Sequence, residues 1–156
     1  MNIHSRFMKE AITLATENVM NQGGPFGAVI VKDGKVIAKG VNRVTDSCDP
    51  TAHAEVVAIR NACQTLQTFD LSGCTLYTSC EPCPMCLGAI YWARPDAVYY
   101  AASRKEAAHA GFDDDFIYDE VPLEPEKRSL PFYHLSSIEH HEPFTTWNNT
   151  ENKTLY

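Results

Sequence analysis

Apolar positions along the chain switch between helical and strand-like spacing. Phe7, Ala11, Leu14, Ala15 and Asn18 recur at helical intervals over about residues 5–20, and Gly23-Gly24 ends the run. Ala28 to Lys32 predicts a buried strand, Asp33-Gly34 a tight hairpin turn, and Lys35 to Val41 its antiparallel partner. Asp49-Pro50-Thr51 offers a cap and an early proline for a helix over about 52–66, which carries Val56, Val57, Ile59, Ala62 and Leu66. A third strand is expected over Thr75 to Ser79, a helix over about 84–93, and a fourth strand over Asp96 to Ala101. Ser103-x-x-Glu106 fits a capping box opening a short helix that closes near Gly111. Most of these apolar residues are simply core.

At 156 residues the chain suits one domain, able to bury roughly two-thirds of its unfolded surface. No run of about 18 apolar residues appears, so no membrane span is expected. The start, Met1 to Arg6, leads into an amphipathic stretch and not into a signal-peptide core. Six cysteines stand at 48, 63, 74, 80, 83 and 86, and a need for some of them as thiolates favours a reducing, cytoplasmic location over a disulfide framework. The net charge of −7 is concentrated in residues 101–156, where 11 acidic side chains face 5 basic ones. Polyanion binding usually draws on a clustered basic face, which this pattern lacks. The charge favours a small neutral substrate and not nucleic acid.

The chemistry lies in His53-Ala54-Glu55 and, 27 residues beyond Glu55, Pro82-Cys83-Pro84-Met85-Cys86. His53, Cys83 and Cys86 supply three zinc ligands, the number that leaves a fourth position open in catalytic sites. Zinc there lowers the pKa of a water from about 15.7 towards about 7. Glu55 is then a carboxylate free to carry protons, in the pattern of zinc-dependent base deaminases. Cys83 and Cys86 share one face of a helix's opening turn, where free N–H groups and the dipole favour thiolate. The motif has two other uses. A redox dithiol fits poorly, with prolines on both sides of Cys83 and no thioredoxin-like context. A closed structural site with Cys80 as fourth ligand stays open on spacing alone, but leaves the His-x-Glu pairing without a purpose. His4, His109, His134, His140 and His141 have no such partners and are expected to be ordinary surface or core residues.

Asp49-Pro50-Thr51-Ala52-His53-Ala54-Glu55 and the stretch from Glu81 through Pro82-Cys83-Pro84-Met85-Cys86 to Ile90 closely resemble the cytidine deaminase-like superfamily of zinc deaminases. The match covers about residues 5–102. Within the superfamily the chain looks like the branch holding guanine deaminases and tRNA adenosine deaminases. Gly23 to Ala28, Gly40-Val41-Asn42 and Tyr91 to Pro95 add to that likeness. Gly111-Phe112-Asp113-Asp114 and Lys153 to Tyr156 are similar to bacterial guanine deaminases.

The resemblance implies an α/β fold, a three-layer α/β/α sandwich around a mixed five-stranded sheet. It implies one zinc-dependent deaminase domain over 1–156, with a segment of about 131–156 exchanged in a homodimer. Zn2+ would be held by His53, Cys83 and Cys86, and Glu55 would shuttle protons. Phe26 would stack on a purine base, and Asn42 and the Ala54 backbone amide would bond its edge. Trp92 would line the pocket, Asp114 would contact guanine and assist proton transfer, and Tyr156 would cap the site. Ordinary uses stand beside these roles: core packing for Phe26 and Trp92, a local turn for Asn42, a solvated loop for Asp113 to Asp115, a frayed end for Tyr156. The implied reaction is hydrolytic deamination of guanine. The alternatives are deamination of guanosine, cytosine, cytidine or tRNA adenosine, and a zinc-stabilised interaction domain without activity.

Overall fold

The computed structural model describes residues 2–156, and its first helix, α1 (Ile3–Met20), starts where the Asn2 side chain accepts the His4 amide at 3.2 Å. Phe7, Ala11 and Ala15 form its buried stripe. Past its end, the Asn18 amide donates to the carbonyls of Gly24 (2.8 Å) and Asn42 (2.9 Å), binding the following loop to the end of the hairpin. Strands β1 (Gly27–Lys32) and β2 (Lys35–Val41) are antiparallel. Asp33 and Gly34 between them both have positive φ, 49° and 72°, which gives a two-residue turn the twist of the strands it joins.

β3 (Cys74–Cys80) lies antiparallel to β1 on its other side, and β4 (Ala97–Ala102) runs parallel to β3, so the sheet order is β2-β1-β3-β4. The helices α2 (Ala54–Leu66) and α3 (Pro84–Ala93) are the crossovers that place these strands. β1 is buried on both faces. Ala28 and Ile30 point to the α2 and α3 layer with Leu76, Ala58, Ala62 and Ile90, while Val29 and Val31 meet Phe7 and Tyr77 on the α1 side. Burial of this kind explains why β1 reads as a continuous apolar run and not as an alternation.

The sheet is mixed, as expected, but has four strands among the described residues where five were expected. After β4 the Ser103–Glu106 capping box turns the chain at once into α4 (Arg104–His109), with reciprocal bonds of 2.8 and 3.4 Å. Farther on, Pro122, Pro125 and Pro131 each remove an N–H that a ladder would use. The start of α2 also differs. Asp49 accepts the Thr51 amide at 2.8 Å and so caps a turn, and the helix begins at Ala54 with His53 in the N-cap position.

The elements up to Asp115 form one compact unit and Phe116–Tyr156 a second. α5 (Asp115–Glu120) leads into the second unit, which continues through a 3-10 turn (Pro125–Lys127) to α6 (Glu142–Asn149). It contains no buried residue, and Tyr133, Leu135 and Ile138 are about nine-tenths exposed. Its order comes from local contacts: Arg128 sits over the Phe132 ring at 4.9 Å, and Lys153 donates to the carbonyls of Trp147 and Asn148 at 2.9 and 2.8 Å. No helix among the described residues is long and apolar enough to cross a membrane.

Candidate active site

Two helix starts converge at one point. His53 is the N-cap of α2 and Cys83 the N-cap of α3, both in extended backbone conformation. The His53 side chain makes no capping bond, so its ring turns to the cysteines. Nδ1 lies 3.5 Å from both Cys83 Sγ and Cys86 Sγ. Pro84 starts α3 at no cost in hydrogen bonding, and Cys83 Sγ accepts the Cys86 amide at 3.4 Å.

These three residues form a group whose ligand atoms lie within 4.8 Å of one another. A tetrahedral zinc with Zn–S of about 2.3 Å and Zn–N of about 2.05 Å separates its N and S ligands by about 3.6 Å. The observed 3.5 Å spacings fit that ion. Cys80 is not in the group. Its buried thiol is directed at the Ser103 carbonyl, 3.8 Å away, and burial pushes its pKa up to about 11. A fourth thiolate ligand at that position is therefore not formed.

The charge state suits a cation. The Cys86 hydrogen bond and His53 hold the Cys83 thiol down at about 4, and Cys86 is pushed up because it shares its proton with Cys83. The adjacent Cys83 sulfur raises the His53 pKa. A metal ion would displace the shared proton and compensate the negative charge.

Glu55, in the first turn of α2, is only 5% exposed. Burial raises its pKa, and two partners fix its carboxyl: Thr78 Oγ1 donates to Oε1 at 3.0 Å, and Cys86 Sγ to Oε2 at 3.4 Å. Ala54 is fully buried at the first helical position, where an amide has no carbonyl of its own helix to bond.

A cavity of about 290 Å³ opens beside His53, Glu55 and Cys83, with Phe26, Asn42 and Asp114 on its wall. Phe26 meets Phe112 edge to face, with centroids 4.9 Å apart. Asn42 serves its own turn as well, since its Oδ1 accepts the Val44 amide at 3.2 Å. In the acidic run Asp113 and Asp114 both reach the wall, whereas Asp115 approaches Arg104 Nε at 3.5 Å. Asp114 is the half-buried member, and burial raises its pKa.

Trp92, expected on the pocket wall, is not brought there. It sits in the last turn of α3, 62% exposed and not among the residues that line this cavity. Tyr156 lies in the second unit. Three residues at the site were not anticipated from the sequence: Thr78, and Glu81 and Arg104 on the cavity wall. Glu81 Oε2 accepts the Arg104 amide at 3.1 Å, tying the start of α4 to the cysteine loop. A polar residue on the inward face of β3 was the available signal for Thr78.

Residues 1–102 match the family described as the cytidine and deoxycytidylate deaminase zinc-binding region. Guanine deaminase of Bacillus subtilis is 61% identical over 154 residues, 98% of this chain and 99% of that one. Its crystal structure superposes with a TM-score of 0.97, covering 100% of this chain and 99% of that one. A tRNA-specific adenosine deaminase of Aquifex aeolicus is 42% identical over 75% of this chain and 77% of its own. A solved complex with 8-azaguanine is 37% identical, with a TM-score of 0.69 over 72% of this chain and 65% of that one.

Proposed function

Because the chain belongs to the cytidine and deoxycytidylate deaminase zinc-binding family, we propose that it hydrolyses guanine to xanthine and ammonia. The observation that carries this reading is the nearly full-length likeness to a guanine deaminase, which extends through the second unit. The tRNA adenosine deaminase likeness covers only three-quarters of the chain.

His53, Cys83 and Cys86 would hold the zinc, their spacing being that of three tetrahedral ligands. The bound ion supplies a Lewis acid that lowers the pKa of a water at neutral pH. Glu55 takes both protons of the water that adds to C2 of guanine, one after the other, and delivers the first to the ring nitrogen and the second to the leaving amine. One water enters, and xanthine and ammonia leave. Burial suits Glu55 to this work, because a raised pKa makes the carboxylate a better proton acceptor.

Phe26 packs on the purine face. With Asn42 Oδ1 engaged in its turn, the Asn42 side-chain NH2 is the donor for an acceptor on the base. The Ala54 amide is a second donor, and Asp114 holds the amine side. Carboxylates of Glu55, Glu81, Asp113 and Asp114 make the cavity unfavourable for a phosphate, which supports a small purine base over tRNA. The direction of the Cys80 thiol away from the ligand group speaks against a closed structural site.

The second unit, with no residue buried, supports a homodimer in which the 131–156 segments are exchanged and Tyr156 caps the partner's site. The unbridged cysteines support a cytoplasmic location. The deciding assay is ammonia release from guanine, guanosine, adenine, cytosine and cytidine by the purified zinc-loaded protein. Release from guanine well above the others is expected. Preferential release from another substrate would replace the assignment.

A further inference from the structure

Strand β3 turns Cys74, Leu76 and Thr78 towards the α2 and α3 layer, the first two in the apolar core. Thr78 interrupts that row with a hydroxyl and is only 1% exposed. Burying a hydroxyl there costs free energy unless it is bonded, and its partner is Glu55 Oε1 at 3.0 Å. Valine would fill the same volume in the strand and leave that oxygen without a donor.

We infer that Thr78 is a positioning residue that makes the two oxygens of Glu55 inequivalent: it anchors Oε1 and leaves Oε2 as the oxygen that carries the proton. The inference rests on the proposed role of Glu55. The terminal torsion of a glutamate is broad and nearly two-fold, so side-chain packing alone does not orient the carboxyl plane. Thr78 is β-branched and held in the middle of the sheet, paired with Ala28 on β1 and Tyr100 on β4, so its own hydroxyl direction is restricted. With Oε1 accepting from Thr78, Oε2 remains on the side of Cys86 Sγ, 3.4 Å away, facing the group of His53, Cys83 and Cys86. A proton taken on Oε2 needs no rotation of the carboxyl before it is passed to the base.

Thr78→Val, Thr78→Ser and Glu55→Gln test this together, with kcat and KM for guanine, zinc stoichiometry, thermal midpoint and the crystal structure of each variant. The Val variant is expected to keep its zinc and its KM within about twofold. Its kcat should fall about ten- to a hundredfold, the range for losing a hydrogen bond to a charged group. Its Glu55 carboxyl should be rotated or disordered in the crystal, and Thr78→Ser should recover most of kcat. A Val variant with kcat within about threefold of the parent, or with Glu55 unmoved, would overturn the inference. So would zinc loss or misfolding in Val, or a Ser variant as slow as Val, since either would make Thr78 a packing residue. Substantial activity in Glu55→Gln is a different failure: it would remove Glu55 from the reaction whatever Thr78 does.

Discussion

Gly40 of β2 and Ala54 of α2 meet through bare backbone: a β-carbon on Gly40 would fall onto the Ala54 carbonyl oxygen and the Ala58 amide. Ala54 stands between His53 and Glu55, so this contact sets how deep the first turn of α2 sits against the sheet. Nothing flexible is available to yield.

Gly40→Ala should therefore destabilise the protein by about 1–3 kcal/mol, as overpacking of a dense interior does. It should also weaken zinc retention, because His53 moves with the helix. Urea unfolding with metal analysis checks both. An unchanged midpoint would mean that α2 can shift outward without strain.

Glu55→Ala is expected to keep its zinc and lose deamination by roughly 10²–10⁴-fold, the usual worth of a proton shuttle. Steady-state kinetics on metal-loaded protein reads this directly, and near-normal turnover would exclude the carboxylate from the mechanism.

Cys83→Ala and Cys86→Ala should each lose both metal and activity, since two remaining ligands do not hold a tetrahedral ion. Stoichiometric zinc with full turnover in either variant would assign the cysteines another task. Chelating the parent protein should abolish turnover in the same way, with activity returning on zinc addition.

The Ser103–Glu106 box gives an acid-side dependence. Bonds from the Ser103 amide and hydroxyl lower the Glu106 pKa below its ordinary value of 4.5. A lowered folded-state pKa adds stability above about pH 4.5 that is lost as pH falls through it. Glu106→Gln should thus be slightly less stable than the parent near neutrality, with the difference shrinking as pH falls below 4.5. Thermal midpoints across that window would show parallel curves if the box contributes nothing.

Truncation after Asn149 should weaken dimerisation only in part, because Phe132, Tyr133, Phe144 and Trp147 remain. Guanine turnover should fall sharply if Tyr156 caps the site as proposed. Sedimentation and kinetics separate the two effects. Full turnover in the truncated enzyme would make Tyr156 an ordinary chain end.

Legibility in the sequence followed the range of the physics involved. Helix α3 (Pro84–Ala93) lies where it was expected, since a proline at its first position and Arg94-Pro95 at its end are local signals. The Asp33-Gly34 hairpin was equally local. The sequence pattern places the start of α2 two residues early, because Asp49 has the chemistry of a helix cap and spends it on a turn. The approach of His53 to Cys83 and Cys86 was readable because ligand type and spacing are themselves metal chemistry. Phe26, Asn42 and Asp114 gave no such signal in the residues alone, and family likeness carried them. Thr78 was hidden among strand-forming residues, where threonine is common, and only its pairing with Glu55 across 23 residues gives it meaning. The absence of a fifth strand among the described residues and the position of Trp92 depend on long-range packing, which spacing does not encode.

His53 and Cys83 are N-caps of two helices that start 30 residues apart in the chain, and a shared ion would join those starts. Helix ends ordinarily fray one at a time, each first turn opening independently of distant ones. Linked through an ion, neither opening turn can unwind without breaking a bond that also holds the other. The amides at the mouth of the cavity would then exchange with solvent as one cooperative group, at a rate set by metal release.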